Sequence, residues 1–181
     1  MTRTLIISIL IFSFLDLVSC DCRTKKELEV ARQTEFDFSD IVILGEVYFV
    51  SSDHMEFKIK VIEVFKGEFV IGQIIEGENH QYCEPNASSV GQWLIYGHIE
   101  NGKLKTNICG LSRSLEYPEN NRYFRAIPPP PKPLYPKDSI KYKKALMNYE
   151  KIDKEYLNTA KEEINIEIEI LRKKASVQQK L

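Results

Sequence analysis

The sequence predicts a mainly β domain with added helices: a short helix, five short strands closing into a small barrel, a proline-rich linker and a long amphipathic helix. Three observations predict it. Runs of β-branched and aromatic residues recur between residues 41 and 109, separated by Gly, Asn and Asp turns. Six prolines then fall between Pro128 and Pro136. Beyond them, apolar residues step by three or four along a Lys/Glu-rich stretch, the periodicity of a helix with one apolar face.

The chain begins with a basic residue, Arg3, an apolar block from Leu5 to Leu15, and Leu17-Val18-Ser19, ending small enough for a signal peptidase. That is the form of a secretory signal peptide over residues 1–19. The block is shorter than the about 20 residues that cross a bilayer. Asp16 is an unusual late charge. Cleavage after Ser19 leaves Cys20 at the amino terminus with a free α-amine. All four cysteines, Cys20, Cys22, Cys83 and Cys109, then lie in the mature chain, in a compartment where disulfides form. Four cysteines allow three pairings. Leu17-Val18-Ser19-Cys20 also has the form of a bacterial lipobox. Processing there would lipidate Cys20, anchor the protein to the outer surface, and leave an odd number of thiols.

Cys22 to about Gln33 favours a short helix, with Leu28, Ala31 and Arg32 at helical spacing. Ile41 to Val50 reads as a strand with Gly45 at a bulge or bend, and Met55 to Phe65 as its antiparallel partner. Gly72 to Gly77 is a weaker strand, and Glu78 to Gly91 a polar loop holding Cys83. Trp93 to Gly97 and Leu104 to Cys109 flank Asn101-Gly102, a favoured hairpin turn. Closing five such strands into a barrel removes their exposed edges. Residues 116–139 read as the linker and 140–176 as the final helix, its apolar face suited to packing on the barrel, to a partner or to self-association. Within it, Ile164 to Ile170 alternates as a strand would.

Net charge is −1 with both signs interspersed, which gives no footprint for nucleic acid or an anionic membrane. No later apolar run approaches spanning length, so the membrane is a partner only through a lipid on Cys20. His54, His80 and His98 have no Ser, Cys and carboxylate arrangement around them, so an enzyme is not expected. A cysteine zinc site with His80 is chemically conceivable, but wide spacing and an oxidising compartment favour disulfides, and no cofactor is expected. Asn86-Ala87-Ser88 is a glycosylation sequon if the source secretes through an endoplasmic reticulum. Trp93 reads as core.

Residues 20–115 resemble the amino-terminal domain of the tissue inhibitors of metalloproteinases, one of the netrin-like modules. The mature chain opens Cys20-Asp21-Cys22, and the first strand begins Asp40-Ile41-Val42-Ile43, like that family's Ala-Asp-Val-Val. Phe57 to Gly67 ends in Phe65-Lys66-Gly67, similar to the family's Phe-Lys-Gly. Cys83 precedes Gly91 and Trp93-Leu94-Ile95-Tyr96-Gly97, similar to Tyr-Leu-Ile-Ala-Gly. Asn101-Gly102-Lys103-Leu104 leads to Ile108-Cys109, as Asp-Gly-Lys-Met leads to Leu-Cys. The order and spacing of these pieces carry the resemblance.

It implies an oligonucleotide/oligosaccharide-binding (OB) type barrel and disulfides joining Cys20 to Cys83 and Cys22 to Cys109. It implies inhibition of a zinc metalloprotease, with the α-amine and carbonyl of Cys20 chelating the protease's zinc and displacing the nucleophilic water. Asp21, Cys22, Tyr82 and Cys83 would complete the contact ridge. The sequence departs from the family in three ways. Asp21 would meet a pocket that is usually apolar, where an unpaired carboxylate is costly. Arg23-Thr24-Lys25-Lys26 replaces the family's Pro and His-Pro signature, and the prolines and helix replace its carboxy-terminal domain. A non-inhibitory extracellular or lipid-anchored module, binding partners through barrel and helix, is the alternative.

Overall fold

A computed structural model describes residues 27–80, 83, 85–121, 123–124 and 139–178. The chain folds as helix α1 (Leu28–Phe38), strands β1 (Ile41–Val50), β2 (Glu56–Lys66), β3 (Ile74–Glu78), β4 (Gly91–Glu100), β5 (Lys103–Thr106) and β6 (Arg113–Ser114), a 3-10 turn at Pro118–Asn120, and helix α2 (Ile140–Gln178). Strands β1 to β5 close into an OB-type barrel in the order β1-β2-β3-β5-β4, with β4 returning to β1. Only the β3–β5 contact is parallel. Strand β6 lies outside, pairing Trp93 with Ser114 and Leu94 with Arg113.

The unbroken apolar run Ile41-Val42-Ile43-Leu44 follows from burial on both faces. Ile41, Ile43 and Val47 point into the barrel with Phe57, Ile59, Val61, Ile75, Trp93, Ile95 and Leu104. Val42 and Leu44 face outward with Leu94 and Tyr96, under the two helices. The pairing register slips between Leu44 and Gly45, the bulge the sequence suggested. A side chain at Gly45 would meet Ile59 Cδ1 at 2.6 Å, so the bend and the missing side chain serve the same close approach.

Helix α1 ends five residues later than its composition predicts, at Phe38 and not near Gln33. Phe36 and Ala31 are buried against the barrel, and that packing extends the helix. It stops where Ser39 Oγ and the Ser39 amide both donate to the Glu35 carbonyl. Lys66 Nζ then satisfies the carbonyls of Phe36 and Asp37 at 2.8 and 3.2 Å. Cys22 to Lys26, where that helix was expected to start, lie outside the described residues.

Strand β5 stops at Thr106, short of the expected Cys109, because the chain turns from Asn107: the Gly110 amide donates to the Asn107 carbonyl at 3.0 Å and Cys109 within that turn takes the left-handed backbone conformation, φ 60°. Strand β6 is too short to carry a pattern and was not anticipated. At the start of the 116–139 segment the chain still packs on the barrel. Pro118, Asn121 and Phe124 are buried, and Asn121 Nδ2 donates to the Gly110 and Ser112 carbonyls at 2.9 and 3.0 Å.

Just ahead of its first residue, helix α2 is capped by Ser139, whose hydroxyl accepts from the Tyr142 amide at 3.2 Å. Its carboxy-terminal part docks. Ala160, Ile164, Ile168 and Leu171 join the outer core with α1, β1, β4 and Phe124. The strand-like alternation at 164–170 is resolved as helix: Ile164 and Ile168 are buried while Ile166 and Ile170 face solvent.

Candidate functional site: the cysteine-bearing end of the barrel

Two connections carry the described cysteines: the loop after β3, with Cys83, and the turn after β5, with Cys109. Both cysteines are disulfide-bonded. Cys20 and Cys22 lie outside the described residues, so the implied pairings stand as expectations.

The two connections are bound to one another through Thr106. Its hydroxyl donates to the Pro85 carbonyl at 2.5 Å, and its own carbonyl meets His80 Nε2 at 2.7 Å. Within the Cys83 loop, asparagines replace missing strand pairing. Asn79 Nδ2 donates to the His54 and Ala87 carbonyls, and its Oδ1 accepts from the Ala87 amide at 2.9 Å. Asn86 accepts from the His80 amide and donates back to the His80 carbonyl, both at 2.9 Å. The backbone of His80 and Ala87 thereby finds side-chain partners where strand pairing has ended, as backbone turned away from water requires.

The Cys109 turn is tied to α1. Asn107 Nδ2 donates to Ser39 Oγ at 2.7 Å and to Glu35 Oε1 at 3.1 Å, and the Leu111 amide donates to the same Glu35 oxygen. A side chain at Gly110 would collide with that carboxylate, which fixes glycine there. The helix entering the barrel and the turn bearing Cys109 are therefore one unit.

Of the expected contact ridge, Cys83 is described and is buried within this network, while Cys20, Asp21, Cys22 and Tyr82 lie outside the described residues. Two of the three histidine rings have structural partners. His80 Nε2 meets the Thr106 carbonyl and His98 Nδ1 approaches Asn107 Oδ1 at 3.3 Å, while exposed His54 contributes its backbone carbonyl, which accepts from Asn79. Among the described residues no group of three His, Cys, Asp or Glu could hold a metal ion. Trp93 is buried in the barrel, its indole N–H donating to the Ser89 carbonyl at 2.9 Å.

The outer faces of β2, β3 and β5 and the end of β4 carry charges in matched cross-strand pairs. Lys58 meets Glu76 at 2.8 Å, Lys103 meets Glu56 at 2.6 Å, and Lys105 meets Glu100 at 2.7 Å. The cavity among them, lined by Phe49, Phe57 and Gly77, holds about 90 Å³, well below the roughly 300 Å³ at which ligand pockets begin.

A second polar cluster, missed by reading charges as surface, lies where α2 docks. Glu167 accepts from Arg113 Nη2 at 2.9 Å, Arg32 Nε at 2.7 Å and the Tyr96 hydroxyl at 2.7 Å. Arg32 also reaches Glu163, and Arg113 stacks its guanidinium 4.2 Å from the Phe124 ring centroid. Burial disfavours the Glu167 charge, but the Arg113 charge and the bonds from Arg113, Tyr96 and Arg32 outweigh it and hold its pKa below the usual 4.5. The signal was available: Glu167 falls on the same helical face as Ala160, Ile164, Ile168 and Leu171.

These features define a class: a disulfide-bonded OB-type barrel with a helix clamped on its outer face by a buried ion-pair cluster. No protein-family model matches the chain, and no characterised protein matches it. No helix among the described residues is long and apolar enough to cross a membrane.

Proposed function

We propose that the protein is a secreted inhibitor of a zinc metalloprotease, acting through the α-amine and carbonyl of Cys20. The supporting observation is that Cys83 and Cys109, both disulfide-bonded, sit on connections bound through Thr106 to one end of the barrel. Bonds from Cys20 to Cys83 and from Cys22 to Cys109 would fasten the amino terminus to that end. A chain terminus is otherwise among the most mobile parts of a domain, and fixing it removes ordering cost from binding. Amine and carbonyl of one residue close a five-membered chelate ring on the zinc position that water otherwise holds. An ordinary α-amine, with a pKa of about 8, gives up its proton to a metal at modest cost near neutral pH. Asp21 directs the inhibitor toward a protease whose specificity pocket carries a basic residue.

The test compares secreted protein beginning at Cys20 with protein carrying one extra alanine before it, against zinc proteases with apolar and with basic specificity pockets. Inhibition by the native form alone is expected. Equal inhibition by both forms, or none by the native form against any protease, overturns the chelation mechanism. Intact mass supplies the companion check: about four mass units gained on reduction and an unmodified Cys20 are expected.

The second reading, a binding module without inhibitory activity, draws on the projecting part of α2, where Leu146, Met147 and Tyr156 are exposed. A blocked or lipidated Cys20 would select it.

A further inference from the structure

Helix α2 is divided by charge. Residues 140–154, at its projecting end, hold five lysines against two acids, whereas residues 155–171, toward the barrel, hold five acids against one lysine. The whole-chain charge of −1 hides this division, because the two halves offset one another. A local basic surface is present that composition does not report.

The lysines are gathered on one face. At about 100° per residue, Ile140, Lys143, Lys144, Met147, Lys151 and Lys154 fall within roughly 100° of the helix circumference. Ala160 and Glu167, which pack on the barrel, lie about half a turn from that line, so the face points away from the domain. All six side chains are exposed, Ile140 to 85% and Met147 to 69%. Lys151 meets Glu155 at 3.9 Å, while Lys143, Lys144 and Lys154 have no ion pair among the described residues.

Helix stability does not account for this arrangement. Lysines near the positive amino-terminal end of a helix are disfavoured, and acids belong in the first turn, where α2 has none. Lys151 and Lys154, three residues apart, repel one another. Ile140 and Met147 stand among these charges about 10.5 Å apart, one heptad of helix.

What covers such a face must be anionic at its surface and apolar just beneath. A bilayer of anionic lipids is layered in that order. Lysine ammonium groups reach the headgroup phosphates on their flexible stems, while Ile140 and Met147 enter the boundary between headgroups and acyl chains. A soluble polyanion would engage the lysines and leave both apolar side chains in water. Beyond Lys154 the same line reads Asn158, Glu162, Asn165 and Glu169, which an anionic surface repels. Contact is therefore confined to the first 15 residues of the helix, about 21 Å, and α2 meets the surface at a slant with the barrel held clear.

We propose that this face docks α2 on an anionic lipid bilayer, with Lys143, Lys144, Lys151 and Lys154 on headgroup phosphates and Ile140 and Met147 in the interface. The inference rests on α2 alone and holds with either reading of Cys20.

Vesicle co-sedimentation of the full mature chain, produced with an unacylated Cys20, tests it. Binding is expected to phosphatidylcholine vesicles containing about one-third phosphatidylglycerol and not to phosphatidylcholine alone. Raising the salt from about 0.1 M to about 0.5 M should release it. Lys143→Gln combined with Lys144→Gln should weaken binding roughly thirtyfold, and Met147→Glu should weaken it without disturbing the barrel. Lipids brominated on their acyl chains should quench a Met147→Trp variant and leave the parent protein, whose Trp93 is buried in the barrel, unquenched. Equal binding to neutral and anionic vesicles, binding to neither, or binding that the double lysine variant leaves unchanged overturns the proposal. So does heparin binding that Met147→Glu leaves unchanged, without quenching of Met147→Trp on vesicles, because the face would then serve a soluble polyanion.

Discussion

Glu167 of helix α2 and Arg113 of strand β6 lie 54 residues apart in sequence, yet meet at 2.9 Å with both side chains 1% exposed. The pair joins the two parts of the molecule that the sequence separates by a proline-rich stretch. It also explains why a two-residue strand is present: β6 holds Arg113 in register with Leu94, below the docked helix.

Removing one partner leaves the other buried without its counter-charge. Glu167→Leu is therefore expected to destabilise the protein by about 3–5 kcal/mol. The double change Glu167→Leu with Arg113→Met should cost less than Glu167→Leu alone. Denaturant titration of the single and double variants measures the coupling. A double variant less stable than the sum of the two singles contradicts the pairing argument.

Acid should loosen the helix through the same residue. With its folded-state pKa held below the usual 4.5, Glu167 binds fewer protons in the folded protein than in the unfolded chain. Its contribution is complete above 4.5 and is lost as pH falls through the folded value. Tyr96 acts at the other end of the scale. Burial, the Glu167 charge and the bond to Glu167 raise its pKa well above 10.0, so its contribution is present below 10.0 and is lost as pH climbs through the folded value. Stability measured against pH should fall at both extremes. Glu167→Gln should flatten the acid limb; an unchanged acid limb contradicts this account.

Gly77 lies over the face of the Phe57 ring, and a methyl group there would overlap it. Gly77→Ala is expected to destabilise by about 1–3 kcal/mol, the usual range for overpacking. Combining it with Phe57→Leu should recover part of the loss. If Gly77→Ala leaves the unfolding midpoint unchanged, the close approach is not as tight as the geometry gives it.

Asn86 is committed to the His80 backbone through both its oxygen and its nitrogen. Asn86→Ala would leave two partly buried backbone groups unpaired, at about 1–3 kcal/mol. The His80 amide, protected in the parent protein, should exchange much faster in the variant. Hydrogen exchange read residue by residue checks this, and unaltered protection at His80 refutes it. The same two bonds place the nitrogen of the expected sequon inside the loop's own bonding, beside the fully buried Ala87.

The strands were legible because burial wrote itself into them. Ile41 to Leu44 is apolar throughout since both faces are covered, and Phe57, Ile59 and Val61 alternate because only one is. The barrel followed from their number and turns. Elements governed by distant contacts were less visible. Helix α1 gained its last turn from Phe36, whose burial depends on strands not yet formed in any local reading. Arg32, Arg113 and Glu167 look like solvent-facing charges one at a time, and only their convergence makes them core. At the candidate site, the asparagine clasps of the Cys83 loop escaped notice for the same reason. Asn79 and Asn86 have the composition of a turn, and their partners are backbone atoms that a sequence does not show.

The outer apolar core holds helix α2 over about 17 Å, from Ala160 to Leu171, with the ion-pair cluster at Glu163 and Glu167 inside that span, while about 30 Å of helix extends ahead of it. That proportion makes the docked turns a fulcrum and the amino-terminal part a lever arm. A tilt of about 10° at the grip moves Ile140 by about 5 Å, taking the arm at about 1.5 Å per residue. By lever geometry alone, any small tilt at the docked turns is magnified at the far tip.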